Sequence, residues 1–477
     1  MAFFMKLQSR YIVLPVNNRA ECVRLAIRGY SLDVKYDDQT PAYNAYIDVG
    51  RLIGREVSVT LPDGKPAVFS FADTLPDDTY AEPYRPQVRF SAARGWTNDP
   101  NGLIYAGGRY HMFFQHNPAG TEWGNMHWGH AVSADLVHWD YDGDVLFPDE
   151  LGTVYSGSAI LDERNVSGLG KNGIPPILLY YTAAGKPFTQ CLAYSADNGE
   201  TFEKYTGNPI IGHIAAENRD PKVIWCDELG KYVMALYLDG NEYLLLVSDN
   251  LINWDEHQRI ILPNDAECPD FYPLPLDGRE RKWVFSGASD YYFTGSFVNG
   301  KFTPDGPSGH LFGFGRESYA AQTFSGLPDC RRVRVAWNTT WKNFTDSVFS
   351  MSMTFPAELE LRTVSGRPTL CARPVREIAS LFTDTDAAAY YLTADVVAAQ
   401  SDASLNVCGV KLELPFTGAD KVELILDRDC WELYLPDGGK YYIGAYEFKG
   451  FGDEKVTAER ADISNITLRG LKSIWKK

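Results

Sequence analysis

The chain has no basic run anywhere along its 477 residues: 45 Lys and Arg stand against 62 Asp and Glu, a net charge of −17. Nucleic acid and anionic membrane surfaces are held by clustered cations, so neither is an expected partner. The same balance weighs against phosphorylated substrates unless one local basic pocket overrides it. No stretch stays apolar for the roughly 20 residues that a membrane helix needs. The eight cysteines, at positions 22, 191, 226, 268, 330, 371, 408 and 430, form no C-x-x-C pair and no Cys/His spacing of a zinc site. Glycine-rich phosphate loops are missing, as is a G-x-S-x-G nucleophile elbow, a pattern that Ser156-Gly157-Ser158 does not meet. His111, His116, His127 and His130 crowd one stretch without ligand spacing and are expected to be hydrogen-bonded structural residues. Residues 1–10 hold few apolar side chains before Lys6 and Arg10, short of the apolar stretch of a secretory leader. The expectation is a soluble, reduced, cytoplasmic chain that uses no metal and no cofactor. Asn165-Val166-Ser167 is then a chance match to a glycosylation acceptor.

What the sequence does have is strand. Its length exceeds what one core usually serves, so two or three domains are expected. Aromatic residues make up 13%, a surplus that suits either β-structure or a sugar site whose rings stack on the ligand. Residues 232–238 and 243–248 are apolar runs joined through Asp239-Gly240-Asn241, a hairpin signal, and 103–105 and 110–115 repeat that plan around Ala106-Gly107-Gly108. A weak internal repeat runs through Ser133-Ala134-Asp135, Ser195-Ala196-Asp197 and Ser248-Asp249-Asn250, each followed by an aromatic residue at Trp139, Phe202 or Trp254. Their starts lie 62 and 53 residues apart, and a unit of about 50 residues is the size of a propeller blade. The predicted fold is all-β: a five-bladed propeller over 86–356, a C-terminal β-sandwich over 357–477 and a small N-terminal β domain over 1–85. The N-terminal region carries a turn at Pro62-Asp63-Gly64, and its Pro/Asp-rich stretch 76–86 reads as a linker. In the C-terminal region Val422, Leu424 and Leu426 alternate along one face, as do Trp431, Leu433 and Leu435.

Three acidic segments carry the chemistry. Trp96-Thr97-Asn98-Asp99-Pro100-Asn101-Gly102 reads as a tight polar turn leading into a strand. Arg219-Asp220-Pro221-Lys222 and Glu267-Cys268-Pro269-Asp270 likewise precede strands. Each alone is compatible with an ordinary turn. Together they are stronger, because a propeller gathers equivalent strand starts around its central channel. Glycoside cleavage with retention needs a carboxylate nucleophile and a carboxyl acid/base about 5–5.5 Å apart. A third carboxylate can hold sugar hydroxyls, and crowding three acids raises at least one pKa.

These segments, in this order, resemble glycoside hydrolase family 32, the invertase, levanase and inulinase family: W-x-N-D-P-N-G (with Thr97 for the family's Met), R-D-P and E-C-P-D. Tyr110 to Pro118 resembles the family's Y-H-x-F-x-Q-x-N-P strand, and Trp123 to His130 matches W-G-x-x-x-W-G-H. Tyr155-Ser156-Gly157-Ser158 stands for F-S-G-S, Tyr319 to Phe324 resembles Y-A-x-Q-T-F, and Asp427-Arg428 with Glu432 and Tyr434 resembles the motif of the C-terminal sandwich. The resemblance covers about 86–477. It implies that Asp99 is the nucleophile, Glu267 the general acid/base and Asp220 the transition-state stabiliser. It further implies that Asn98, Gln115, Ser156 and Arg219 hold the fructosyl hydroxyls, and that Trp123, Tyr155 and Trp337 wall the pocket. The implied partner is a β-fructoside sugar, cut exo-wise through a covalent fructosyl-enzyme. A fructosyltransferase would use the same residues with a sugar hydroxyl in place of water. A non-catalytic fructan-binding protein would be expected to have lost Asp99 or Glu267, and both are present. Two departures, Pro356-Ala357-Glu358-Leu359 for P-R-E-L and Gly315-Arg316-Glu317-Ser318 for G-x-D-F, bear on leaving-group binding. The N-terminal extension is expected to reshape the mouth of the pocket or to mediate self-association.

Overall fold

In the computed structural model, which describes residues 5–27, 30–313, 317–340 and 347–475, nearly all regular structure is strand. Five antiparallel units follow one another. Blade I comprises Gly95–Ala106, Arg109–Asn117, His127–Ser133 and Trp139–Leu146. Blade II comprises Thr153–Leu161, Ile177–Ala184, Thr189–Ser195 and Glu203–Lys204. Blade III comprises Arg219–Cys226, Lys231–Asp239, Glu242–Ser248 and Asp255–Ile261. Blade IV comprises Asp270–Leu276, Glu280–Ser286, Tyr291–Val298 and Lys301–Pro304. Blade V comprises Ser318–Thr323, Arg332–Asn338, Ala357–Val364 and Arg367–Pro374. The first strand of each blade packs against the first strand of the next, and that of blade V returns to blade I, which closes the ring. Phe349–Ser350 adds a short parallel pairing on Gly95-Trp96.

The repeat seen in the sequence is a turn between the third and fourth strands. The side chain of residue three caps the chain that follows. Asp135 Oδ1 accepts from Val137 and His138 N–H, Asp197 Oδ1 from Thr201 N–H, and Asn250 Oδ1 from Ile252 and Asn253 N–H. Both predicted hairpins form, with Gly107 and Gly240 at φ +58° and +55°.

The expected boundary at 356 needs correction. Ala357–Val364 pairs with Arg332–Asn338 and then with Arg367–Pro374, so the fifth blade runs to Pro374. Pro356 breaks the chain only locally, and the alternation after it belongs to an outer blade strand. The C-terminal sheet starts at Phe382–Thr383. Its two long strands, Ala389–Val407 and Val456–Leu471, pair with three register shifts that bend the sheet over on itself. Val422, Leu424, Leu426, Trp431, Leu433 and Leu435 share its core as the alternation predicts, while Ile425, Cys430 and Tyr434 point the other way into the core shared with the propeller.

The N-terminal region forms two three-stranded sheets, Tyr11–Val16 with Tyr43–Asp48 and Ser70–Ala72, and Val23–Ile27 with Tyr30–Val34 and Val59–Thr60. They close on their own apolar core, which also takes in Ala119 of the propeller. The stretch 76–86 is not a loose linker. Tyr80 stacks on Trp475 with ring centroids 4.0 Å apart, and the buried Arg85 guanidinium donates to Ser91 Oγ at 2.9 Å and Ala92 O at 2.7 Å. Among the described residues no helix is long and apolar enough to cross a membrane, and the eight cysteines are free thiols.

Candidate active site

The three acidic segments are strand and strand entry rather than free turns. Asp99 lies within Gly95–Ala106, Asp220 within Arg219–Cys226, and Glu267 three residues before Asp270–Leu276. Each of these strands is the innermost of its blade, so one edge faces the channel. Pro100 and Pro221, which have no N–H to give, are tolerated there. The register slips at the same level in blades I, II, III and V: near Phe114, between Tyr155 and Gly157, between Arg219 and Lys222, and between Tyr319 and Gln322. These bulges turn the side chains of strand residues into the channel mouth. Asp220, Glu267, Cys268 and Ala320 hold left-handed backbone at φ +64°, +58°, +34° and +54°. Such conformations cost about 1–3 kcal/mol each and gather where the fold over-determines them, commonly at functional sites.

All ten residues singled out from the sequence line one hollow of about 300 Å³: Asn98, Asp99, Gln115, Trp123, Tyr155, Ser156, Arg219, Asp220, Glu267 and Trp337. Asp99 accepts from Ser156 Oγ at 2.5 Å and from Asn98 Nδ2 at 3.2 Å, and Asn98 is itself fixed by Trp96 Nε1 at 2.9 Å. Gln115 Nε2 is anchored on Val154 O at 2.9 Å. Arg219 donates to Glu267 Oε1 at 2.5 Å, stacks over the Tyr237 ring and lies 3.9 Å from Asp220. Trp123 and Tyr155 meet edge to face at 6.0 Å, and Trp337 packs edge-on against Trp96 and Tyr319. The buried Trp337 Nε1 has no hydrogen-bond partner among the described residues.

Three lining residues went unassigned in the sequence: Glu217, Cys268 and Tyr319. Tyr319 Oη donates to Glu267 Oε2, and burial together with the neighbouring acids raises its phenol, which keeps the proton in place. The Cys268 amide donates to Asp220 Oδ2 at 3.0 Å, and its sulfur lies 3.5 Å from Asp220 and 3.7 Å from Asp99. Burial and the acids push that thiol well up, so Cys268 is a weak donor here and no nucleophile. Tyr319 was visible only as part of a family-like segment, because its partner Glu267 lies 52 residues away.

The acids differ in setting. The Asp220 side chain is 4% exposed and that of Glu267 31%. Burial raises the Asp220 carboxyl, Arg219 pulls it back, Glu267 and Asp99 push it up again, and it stands at about 7. Asp99 is raised by burial against the bonds from Ser156 and Asn98, with the charge of Glu267 adding to the rise. On the strand of Asp220, Lys222 is buried, 3.1 Å from Asp270 and 2.8 Å from Thr323 O. The four clustered histidines are all buried in blade I. His111 bonds His130 at 3.0 Å and His116 bonds Asp144 at 2.6 Å. Among the described residues no group of three His, Cys, Asp or Glu side chains is set to hold a metal ion. Of the two departures, Glu358 faces Arg331 at 3.3 Å, and Gly315 and Arg316 lie outside the described residues.

Fold and site together define a five-bladed propeller with a carboxylate-lined pocket at one channel mouth and a sandwich docked beside it. The comparisons are more specific. Residues 89–374, more than half of the chain, match the family model described as the Glycosyl hydrolases family 32 N-terminal domain, and the chain belongs to that family. It is 36% identical to a levanase of Bacillus subtilis over 336 residues, 65% of this chain and 50% of that protein. It is 34% identical to an invertase of Schizosaccharomyces pombe over 342 residues, 65% of this chain and 59% of that protein. The chain thus spans between half and three-fifths of the length of these curated relatives. Among solved structures, an exo-inulinase from Aspergillus awamori superposes with a TM-score of 0.72 at 25% identity, over 83% of this chain and all of that one.

Proposed function

We propose that the protein is a retaining β-fructosidase that releases terminal fructose from sucrose, fructo-oligosaccharides or fructans. The observation that carries this reading is the convergence of Asp99, Asp220 and Glu267, from blade I, blade III and the entry to blade IV, on one hollow of monosaccharide-to-disaccharide scale. Asp99, steadied by Ser156 and Asn98, attacks the anomeric carbon. Glu267, the more exposed acid and the one nearer the mouth, protonates the leaving oxygen and then takes a proton from water. Asp220, deepest of the three, holds ring hydroxyls, and its carboxyl near 7 lets it donate or accept at neutral pH. Asn98, Gln115 and Arg219 supply the polar contacts, and Trp337 walls the hollow. Membership of family 32 and relatives described as levanase and invertase support the same chemistry.

The test is release of free fructose over time from sucrose, kestose, inulin and levan, with Asp99→Ala and Glu267→Ala proteins alongside. Release that both substitutions abolish supports the hydrolase and ranks its substrates. Consumption with new oligosaccharides and little fructose points to transfer. No turnover of any of the four rejects the reading.

A further inference from the structure

The pocket wall at Trp123 stands on a segment that the propeller does not hold alone. Residues 118–126 join two strands of blade I and contain no strand or helix of their own. Trp123 is 57% exposed, so its own packing, one edge-on contact with Tyr155, does little to fix it. Its neighbours are gripped instead. Ala119, 1% exposed, is embedded in the apolar core of the N-terminal sheets. Asn18 Nδ2 donates to Thr121 Oγ1 at 3.1 Å and is itself held by Tyr43. Lys35 Nζ pairs with Glu122 at 2.7 Å. Asn125 closes a two-way clasp on the backbone of Asp33, its Oδ1 accepting from Asp33 N–H and its Nδ2 donating to Asp33 O, both at 2.8 Å. Contacts from the N-terminal domain therefore fall on both sides of Trp123, at residues 119 to 122 and at 125. The propeller adds Asn117, which bonds Glu122 O, Ala119 N–H and Asn125, Ser350, which bonds Thr121 O, Val154, whose amide donates to Met126 O, and His127, whose ring bonds Asn125 O.

We infer that the N-terminal domain positions Trp123, and through it the aromatic wall against which the sugar beyond the terminal fructose is received. Asn18, Asp33 and Lys35, the N-terminal side of the grip, precede the family match, which begins at residue 89. Lys35, Asn18 and Asn125 are positioning residues and touch no substrate. The acids lie on other strands, anchored independently of this loop. Loosening the grip therefore weakens recognition of the leaving sugar while leaving the bond-breaking step in place. The substrate side of this inference rests on the β-fructosidase reading; the positioning side does not.

The experiment uses the full chain carrying Asn18→Ala, Lys35→Met and Asn125→Gly together, glycine being chosen because Asn125 holds φ +47°. With 5-fluorotryptophan in place of its 11 tryptophans, the fluorine NMR line of Trp123 is assigned by its loss in Trp123→Phe. In substrate-free protein the triple variant is expected to shift or broaden that line and leave the other ten in place. KM for kestose is expected to rise about fivefold, the scale of one lost aromatic contact, with kcat held within about twofold. A Trp123 line and a KM both unchanged in the triple variant overturn the inference. So does a fall in kcat with KM constant. If many lines move because the N-terminal domain has come away, Lys35→Glu is compared with the charge exchange Lys35→Glu/Glu122→Lys. Restoration of the Trp123 line by the exchange supports the grip, and failure to restore it overturns it. A shifted line in a protein that turns over no fructoside leaves the positioning role standing and rejects the β-fructosidase reading instead.

Discussion

The molecule holds two clusters of three carboxylates around one arginine, and they are finished in opposite ways. In the pocket, Glu217, Asp220 and Glu267 surround Arg219, and Asp99 lines the same hollow. Where the C-terminal sheet meets the propeller, Asp427, Asp429 and Glu432 surround Arg89. The second cluster is spent. Asp427 accepts from the Gln87, Val88 and Arg428 amides. Glu432 accepts from Phe355 N–H at 2.9 Å, Tyr434 Oη at 2.7 Å and Tyr441 Oη at 2.8 Å. Asp427, Glu432 and the Arg89 side chain are buried, so nothing further can reach them. The pocket acids are fewer in partners and open to a 300 Å³ hollow, and no hydrogen bond falls on Asp220 Oδ1 among the described residues. Equal charge composition thus serves docking where the acids are buried and bonded, as Asp427 and Glu432 are, and serves chemistry where oxygens are left for a ligand.

The comparison breaks most visibly if the two clusters respond alike to substitution. Asp99→Ala is expected to lower kcat by about 10⁴-fold or more, and Glu267→Ala by about 10²–10⁴-fold, with melting temperatures no lower than the parent's. A matching loss of fold would place these acids with the docking cluster. Arg89→Met does the converse. Stranding the buried Asp427 and Glu432 beside the part-buried Asp429 is expected to cost about 3–5 kcal/mol in denaturant unfolding, while the protein that remains folded turns over within about threefold of the parent. Retention of full stability would contradict the docking role.

Asp220→Asn sharpens the contrast through pH. The carboxyl titrates near 3.8 in the unfolded chain and near 7 in the folded one. Between those values the folded state carries the extra proton, so stability falls as pH rises from about 4 to about 7 and then levels off. The asparagine variant lacks that fall. It is expected to lose activity yet melt about 2–4 °C above the parent at pH 8, with the gap closing toward pH 4. A variant that melts below the parent at pH 8 would assign Asp220 a structural role. The smallest effect is that of Tyr319→Phe, which removes one donor from Glu267. It is expected to lower kcat/KM about tenfold without changing the melting temperature.

Much of this was legible in the sequence, for reasons that can be assigned to particular residues. Blades I to III announced themselves because each turns through a Ser-x-Asx cap, at Ser133, Ser195 and Ser248. Blades IV and V turn instead through Asn299-Gly300 and Ser365-Gly366, which lack the cap, so the repeat does not mark the end of the ring at 374. Glu267-Cys268-Pro269 is the bend before a strand that its letters spell, whereas the Asp99 and Asp220 boxes read as turns and are strand. Asp, Asn, Pro and Gly spell a turn locally, and only the tertiary position, an inner strand with one free edge and a bulge, makes the same letters a strand. Tyr319 and Cys268 were missed as site residues because their partners are remote in sequence, on other blades. The prolines of 76–86 spell a linker locally, whereas Tyr80 and Arg85 within it are packed against Trp475 and Phe349.

The account turns on Asp99 forming a covalent bond to the sugar. The direct measurement uses Glu267→Ala protein and an aryl β-fructofuranoside, whose leaving group departs without an acid but whose adduct then lacks a base to release it. Intact-mass spectrometry after a rapid quench should show protein heavier by one fructosyl unit, with the label in the peptide that contains Asp99. A label on another residue would contradict the account, as would unlabelled protein that releases fructose with inverted configuration.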